Sequence, residues 1–206
     1  MRKVVKFGGS SLASAEQFKK VGNIIKADKT RKFVVPSAPG KRDSKDTKVT
    51  DMLYACYDLA ENGKKFDAEM KAIKARYQEI IDGLSLDLSL EDEFVKIAEN
   101  FKNKAGKDYA ASRGEYLNGI IMAKYLGFAF VDAAEVIVFD DNGEFASEET
   151  NEKLKKRFEK CDSAVVPGFY GAYRDGRVKT FSRGGSDITG SIVARAIMAN
   201  VYENWT

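Results

Sequence analysis

Short apolar runs alternate with longer amphipathic runs along much of this chain. Runs typical of buried strands occur at residues 4–7, 33–35 and 164–166. The segment after the first run has a helix start signal, since Ser14 and Gln17 form a capping-box pattern. Alternating strands and helices predict an α/β/α sandwich with a largely parallel central sheet.

The middle of the chain lacks strand signals. Helical periodicity predicts helices at residues 51–61, 66–81, 90–101 and 108–126. We therefore expect a helical lobe, or subdomain, over residues 51–105 beside the sheet. The charged stretch at residues 41–48 is predicted to be a mobile loop.

Strand signals return in the last third of the chain. Strands are predicted at residues 128–131 and 136–139, and Ser147 is predicted to cap a helix that runs to about residue 160. Asp175-Gly176 suits a hairpin tip before a return strand at residues 178–181. A helix at residues 187–200 and the opening of another strand near Trp205 complete the prediction.

Composition limits the classes of function. The chain has 206 residues, is 44% apolar and carries a formal net charge of +3, which gives no special reason to expect nucleic acid or a membrane. It contains no histidine, which excludes a Ser-His-Asp triad or a His-ligated zinc within these residues. Cys56 and Cys161 lie far apart, as is typical of free thiols. No apolar run is long enough for a signal or a membrane span, so we expect a cytoplasmic protein.

Two glycine pairs point to an anionic ligand. Gly8-Gly9 follows Lys6 and a predicted strand, and Gly184-Gly185 follows Arg183 and another strand. Glycine lets a ligand approach the backbone closely, and successive amides form an anion-binding concavity. A single Gly-Gly is more often a simple turn, but two such loops, each with a cation and a serine, favour one shared site. Neither the Walker A nor the dinucleotide-binding glycine pattern is present.

Five segments resemble the motifs of aspartokinases, within the amino acid kinase family, in the same order. These are Lys6-Phe7-Gly8-Gly9-Ser10-Ser11, Ser37-Ala38-Pro39-Gly40, Thr47-Lys48-Val49-Thr50-Asp51, Arg113-Gly114-Glu115 and Arg183-Gly184-Gly185-Ser186-Asp187. The resemblance spans nearly the whole chain, and it implies one amino acid kinase domain over residues 1–206.

The resemblance also implies residue roles. Lys6 and Asp187 would be catalytic, and Lys6, Phe7, Gly8, Gly9 and Ser10 would surround the phosphates of ATP. Aspartate would be bound by Ser37, Thr50, Glu115, Arg183, Gly184, Gly185 and Ser186. Glu115 could hold the α-ammonium group and Arg183 a carboxylate through a bidentate pair. No residue is assigned as a metal ligand, but a Mg²⁺ ion should bridge the phosphates.

The implied activity is transfer of the ATP γ-phosphoryl group to the β-carboxylate of L-aspartate. The product is 4-phospho-L-aspartate, and the step is the first of lysine, threonine and methionine biosynthesis. Two alternatives remain open at this stage. One is another amino acid kinase, such as a glutamate 5-kinase or a nucleoside monophosphate kinase, and the other is a non-catalytic binding or assembly module.

Family members continue beyond the position of Thr206. The resemblance predicts that the segment holding the nucleotide base, and C-terminal regulatory ACT domains, follow in a longer parent. We therefore expect residues 1–206 alone to bind nucleotide weakly and to show negligible turnover. The full-length parent is expected to be a homo-oligomer that acts on small molecules.

Overall fold

The computed structural model describes residues 1–182 and 184–206. Within these ranges the strands are β1 (Lys3–Phe7), β2 (Arg31–Pro36), β3 (Ala129–Phe130), β4 (Val138–Phe139), β5 (Ala164–Val165), β6 (Tyr170–Tyr173), β7 (Val178–Thr180) and β8 (Val201–Trp205). The α-helices are α1 (Ala15–Lys26), α2 (Val49–Glu61), α3 (Asp67–Gly83), α4 (Glu91–Lys102), α5 (Lys107–Leu126), α6 (Ala133–Val136), α7 (Ser147–Phe158) and α8 (Gly185–Ala196).

Five strands form a parallel sheet in the order β3-β5-β2-β1-β8. The register aligns Phe7, the last residue of β1, with Pro36 of β2 and Trp205 of β8. The carboxyl ends of three neighbouring strands therefore meet at one edge, where ligands of such sheets bind.

Both faces of this sheet are buried, because successive side chains of a strand point to opposite sides. Val5 and Val34 join the apolar core that contains residues of α1 to α5. Val4 and Phe33 join a second core, which contains residues of α7 and α8. Helices thus cover the sheet on both sides, and the predicted α/β/α sandwich with helices over residues 51–105 is confirmed.

A smaller sheet has the order β4-β6-β7, and β6 and β7 form the predicted hairpin with a turn at Gly176. The predicted strand at residues 136–139 is wrong in its first half. The Asp132 side chain accepts a hydrogen bond from the Ala134 amide at 3.0 Å and caps α6, which ends at Val136. A local cap therefore overrides the β-branched residues there.

Two further expectations need correction. Ser147 is the first residue of α7 and does not cap it; its hydroxyl accepts a hydrogen bond from Arg195 on α8. The segment at residues 41–48, predicted to be mobile, is held by ion pairs that Arg42 makes with Asp46 and Glu79. No helix within the described ranges is both long and apolar enough to cross a membrane.

Candidate active site at the carboxyl ends of the strands

The loops after β1 and β2 lie against each other at the carboxyl edge of the sheet. The Ser37 amide donates a hydrogen bond to the Phe7 carbonyl at 3.0 Å, and the Gly40 amide donates to the Gly9 carbonyl at 2.8 Å. On the other side, the Gly8 amide donates to the Trp205 carbonyl at 2.9 Å. The first glycine loop is thus fixed by backbone bonds to both neighbouring strand ends.

Glycine is required where these two loops touch. A Cβ atom on Gly40 would lie 2.7 Å from the carbonyl carbon of Gly9, and one on Gly9 would lie 2.8 Å from the Ala38 oxygen. After Gly8 the chain forms a 3-10 turn over Gly9–Leu12, and α1 begins only after Ser14, whose hydroxyl accepts the predicted bond from the Gln17 amide. The loop amides, more than the α1 dipole, are therefore placed to bind an anion.

Lys6 brings a buried cation to this loop. Its residue exposure is only 6%, and its Nζ lies 2.7 Å from Oδ1 of Asp187, at the start of α8. Asn204 on β8 donates a second bond to the same carboxylate oxygen at 3.1 Å. A Cβ atom on Gly8 would lie 3.8 Å from the Lys6 Nζ, so the ammonium group sits directly beside the glycine loop. The two predicted catalytic residues are in contact.

The second glycine loop turns the chain into α8. Gly184 adopts a left-handed conformation, with φ of 57°, and Gly185 packs so closely on Phe169 that a Cβ atom would lie 2.8 Å from the Phe169 Cα. The Ser37 and Ser186 hydroxyl groups form a hydrogen bond at 3.0 Å. The loops after β2 and before α8 are therefore joined, as expected for one shared site. Arg183, the predicted carboxylate partner, lies outside the described residues.

Glu115 supplies a buried carboxyl group on α5. Its exposure is 6%, and its Oε2 atom has no hydrogen-bond donor among the described residues. Burial raises the pKa of Glu115 to about 8, although a bond from the Ala38 amide and the charge of Arg113 act in the opposite direction. Such a carboxyl group can hold a cation, whose arrival would favour its ionised form.

Thr50 and Asn118 flank Glu115. Thr50 lies in the first turn of α2, and its Oγ1 is 3.8 Å from the position of a Cβ atom on Gly114. Asn118, one helical turn after Glu115, is fully buried and donates a hydrogen bond to the Ser37 carbonyl at 2.6 Å. The predicted substrate-binding residues Ser37, Thr50 and Glu115 are thus placed around one corner of the site.

The sequence interpretation missed Asn118 and Phe169. The spacing of Asn118 from Glu115 could have indicated the same helix face. Phe169 has φ of 83°, a conformation rare for a bulky residue, and no sequence signal reports it. The Phe169 amide donates a hydrogen bond to the hydroxyl of Thr189 on α8 at 3.1 Å, which helps to hold this conformation.

No cluster of three or more acidic or cysteine side chains that could hold a metal ion occurs in the part of the chain described. The Mg²⁺ ion expected together with ATP stays a prediction.

The chain thus has the form of a parallel α/β protein whose glycine loops, buried lysine and buried glutamate lie at the carboxyl edge of the sheet, where ligands of such sheets bind. The model of the amino acid kinase family matches residues 1–206, and the chain belongs to that family. The family resemblance found in the five sequence motifs is confirmed.

The similar proteins within this family include several aspartokinases. Aspartokinase 3 of Bacillus subtilis is 40% identical over 99% of this chain and 48% of its own length. The solved aspartate kinase of Clostridium acetobutylicum is 54% identical, with a TM-score of 0.96 over 99% of this chain and 47% of that protein. Escherichia coli aspartokinase III, solved in complex with aspartate and ADP, shares the fold, with 24% identity and a TM-score of 0.81 over 100% of this chain and 49% of its own. The chain spans about half the length of the curated relatives it matches.

Proposed function

We propose that this chain carries the phosphoryl-transfer site of an aspartate kinase. The reaction moves the γ-phosphoryl group of ATP to the β-carboxylate of L-aspartate and yields 4-phospho-L-aspartate and ADP. The observation that carries the proposal is the placement of buried Lys6 and buried Glu115 on two sides of the loop at residues 37–40. One side offers a cation for phosphate, and the other offers an acceptor for an ammonium group.

The chemistry fits a site without histidine. A carboxylate acceptor has an ordinary pKa of about 4 and is already ionised at neutral pH, so it needs no general base. The barrier is electrostatic, since an anion must approach the polyanionic phosphates. Lys6 and the amides of Gly8, Gly9 and Ser10 would neutralise the transferring group, and Mg²⁺ bound to ATP would supply further positive charge. Asp187 would hold the Lys6 ammonium group in place.

Recognition of the amino acid acceptor uses the other half of the site. Glu115 would bind the α-ammonium group, while Thr50, Ser186 and the amides of Gly184 and Gly185 would face the carboxylates. Arg183 is proposed as the bidentate carboxylate partner. The named relatives favour aspartate over the alternative acceptors considered from the sequence.

The direct test is an acyl phosphate assay on the complete product of the gene that encodes this chain. With ATP, Mg²⁺ and L-aspartate, hydroxylamine should trap an aspartyl hydroxamate. L-glutamate and nucleoside monophosphates serve as competing acceptors in separate reactions. Hydroxamate from glutamate but not from aspartate, or product only with a nucleotide acceptor, would refute the assignment.

The same proposal includes the setting of the enzyme. We propose that the complete protein is cytoplasmic and homo-oligomeric, and that its remaining residues complete the nucleotide site and add the regulatory domains predicted from the family. The separate subdomain at residues 51–105 also stays a prediction.

A further inference from the structure

The loop at residues 37–40 has nearly every backbone group engaged. Its Ser37 amide donates to Phe7 at the end of β1, its Gly40 amide donates to Gly9 in the loop after β1, and its Ser37 carbonyl accepts from Asn118. The Pro39 carbonyl accepts from the Val49 amide at 3.3 Å, at the start of α2. This loop, which we call the junction loop, therefore contacts both the phosphate side and the Glu115 side of the site.

The Gly40 carbonyl is held by Arg76 of helix α3. Arg76 is buried, with 4% exposure, and its Nη2 donates to the Gly40 oxygen at 3.0 Å. Its Nη1 pairs with Asp46. The Gly40 amide donates to the Gly9 carbonyl, so this one residue links Arg76 to the glycine loop after β1.

Helix α3 also supports the opposite wall of the site. The Tyr77 hydroxyl, fully buried, donates to the Gly114 carbonyl at 2.8 Å, immediately before Glu115. Two consecutive residues of α3 thus bind two backbone carbonyls, one in the junction loop and one in α5 next to Glu115. Neither residue lies in any of the five family motifs.

The ion pair with Asp46 does not by itself explain why Arg76 is buried at this position. Buried ion pairs often add little net stability, because desolvation offsets their attraction. Asp46 already has a cationic partner in Arg42, whose Nε lies 3.0 Å from its carboxylate. The Nε of Arg76 is buried without an acceptor among the described residues, which is a cost. The planar guanidinium group does what a point charge cannot, which is to hold Asp46 and the Gly40 carbonyl together.

We propose that Arg76 is a positioning residue for phosphoryl transfer: it fixes the Gly40 carbonyl and, through the Gly40–Gly9 contact, the phosphate-binding loop. Its role in catalysis rests on the proposed function, but its role in holding the loop does not.

Amide hydrogen exchange tests the loop contact without any assumption about activity. In R76K and R76Q the Gly40 amide should exchange at least tenfold faster than in the wild type. The amide of Val34, in the middle of β2, reports global opening and should change by no more than the loss of overall stability requires. R42Q is the matched control, since it removes a guanidinium from Asp46 but leaves the Gly40 carbonyl bonded, and its Gly40 exchange should stay within twofold of the wild type.

Unchanged Gly40 exchange in both Arg76 variants, or an equal acceleration in R42Q, would overturn the proposal. If R76Q does not fold, R76K carries the test, because lysine keeps the charge beside Asp46. Failure of both variants to fold would make Arg76 a folding residue and would also overturn the positioning role.

Kinetics on the complete gene product test the catalytic consequence. R76K should raise the KM for ATP at least fivefold and leave the KM for aspartate within twofold, while R42Q changes neither. A uniform fall in kcat with both KM values unchanged would count against positioning of the phosphate loop. If the wild type shows no aspartate-dependent turnover, the proposed function fails, and the exchange result decides separately whether Arg76 holds the loop.

Discussion

Lys6 and Glu115 are the two buried ionisable side chains on which the proposed substrate binding rests. Lys6 is compensated by Asp187 at 2.7 Å, whereas Glu115 has a carboxylate oxygen without a donor in the described structure. A compensated cation beside a glycine loop suits phosphate, and an uncompensated carboxyl group suits an incoming ammonium.

Removing the Lys6 charge should impair turnover more than substrate binding. In K6M we expect kcat to fall by roughly 10²–10³, since one preorganised electrostatic contact to the transferring group is lost. Aspartate affinity, measured by calorimetry, should change little. K3M is the control: Lys3 lies on the same strand and also forms ion pairs, with Asp28 and Glu203, at its other end. A kcat like that of the wild type in K6M would remove Lys6 from the mechanism.

Glu115 should make the stability of the ligand-free protein depend on pH. Its folded-state pKa of about 8 lies above the ordinary value of 4.5, so the neutral form favours the fold and this contribution is lost as pH rises between those values. The wild type should lose stability relative to E115Q by at most about 1.4 kcal/mol per pH unit in this window. Urea unfolding from pH 5 to pH 9 measures the difference, and parallel curves for the two proteins would contradict it.

Aspartate binding should release a proton near pH 7. Free Glu115 is largely protonated there, but a bound ammonium group favours the carboxylate. Calorimetry in two buffers of different ionisation enthalpy measures the proton count. We expect proton release in the wild type and in E91Q, which changes an exposed glutamate, and none in E115Q. Equal proton release in E115Q would assign the titration to another group.

At the scale of elements, the site depends on two loops whose backbones touch. The contact between Gly9 and Gly40 is closer than any residue with a Cβ atom allows, and the Ser37–Ser186 hydrogen bond ties the junction loop to α8. The loops are short continuations of buried strands, so the rigid sheet sets their separation.

Adding a methyl group at Gly40 should separate these loops. The new Cβ atom in G40A would lie 2.7 Å from the Gly9 carbonyl carbon and 2.8 Å from the Ser10 nitrogen. We expect a stability loss of about 1–3 kcal/mol from overpacking, together with weaker binding of ATP. G63A is a contrasting variant, because Gly63 has a left-handed φ of 67° in open space, whereas Gly40 is crowded without a left-handed φ. Wild-type ATP affinity in G40A would show that the loop spacing is not critical.

At the scale of the whole molecule, sheet order brings distant segments into one cluster. Strand β8, from the end of the chain described, pairs with β1 from its beginning. Glu203 of β8 forms ion pairs with Lys3 at 3.2 Å and with Arg31 at 2.9 Å. Burial alone would raise the pKa of Glu203, but hydrogen bonds from Trp205, Arg31 and Lys3 together lower it. The cluster links β8 to the first residues of β1 and β2, at the end of these strands opposite the site.

Neutralising Glu203 should loosen β8. We expect E203Q to lose about 1 kcal/mol, and the Tyr202 amide to exchange faster than amides of β2. Because the pKa of Glu203 is lowered in the folded state, the wild type should lose this advantage as pH falls through the carboxylate range. D162N is the control, since its ion pair with Lys32 is solvent-exposed and should contribute little. Equal losses in the two variants would contradict a special role for the Glu203 cluster.

Local patterns were sufficient for most elements. Buried strand runs, the Ser14 cap and helical periodicity predicted β1, β2 and α1 to α5 within a few residues, because these signals depend on neighbours in sequence. The predicted strand at residues 136–139 failed since Asp132 caps a short helix first. The prediction of a mobile loop at residues 41–48 was wrong, because Arg76 and Glu79 form ion pairs with this segment. Both residues lie on a helix some thirty residues away in the sequence.

The residues of the candidate site also differ in whether the sequence alone could predict them. Lys6, the glycine loops and Glu115 could be singled out from the sequence, because glycine freedom, charge type and motif order are local properties. The spacing from Glu115 could have placed Asn118 on the same helix face, but its bond to Ser37, the strained Phe169 and the Arg76 contact could not be found, since each depends on which atoms lie close in space.

By itself, the sequence determined that this chain forms a parallel α/β sandwich and that its glycine loops favour an anionic ligand, because periodicity and backbone freedom are written residue by residue. Only the tertiary structure decided that Lys6 meets Asp187, that Ser37 meets Ser186, and that Arg76 holds Gly40. These contacts follow from strand order and helix packing, which bring together residues separated by up to 181 positions.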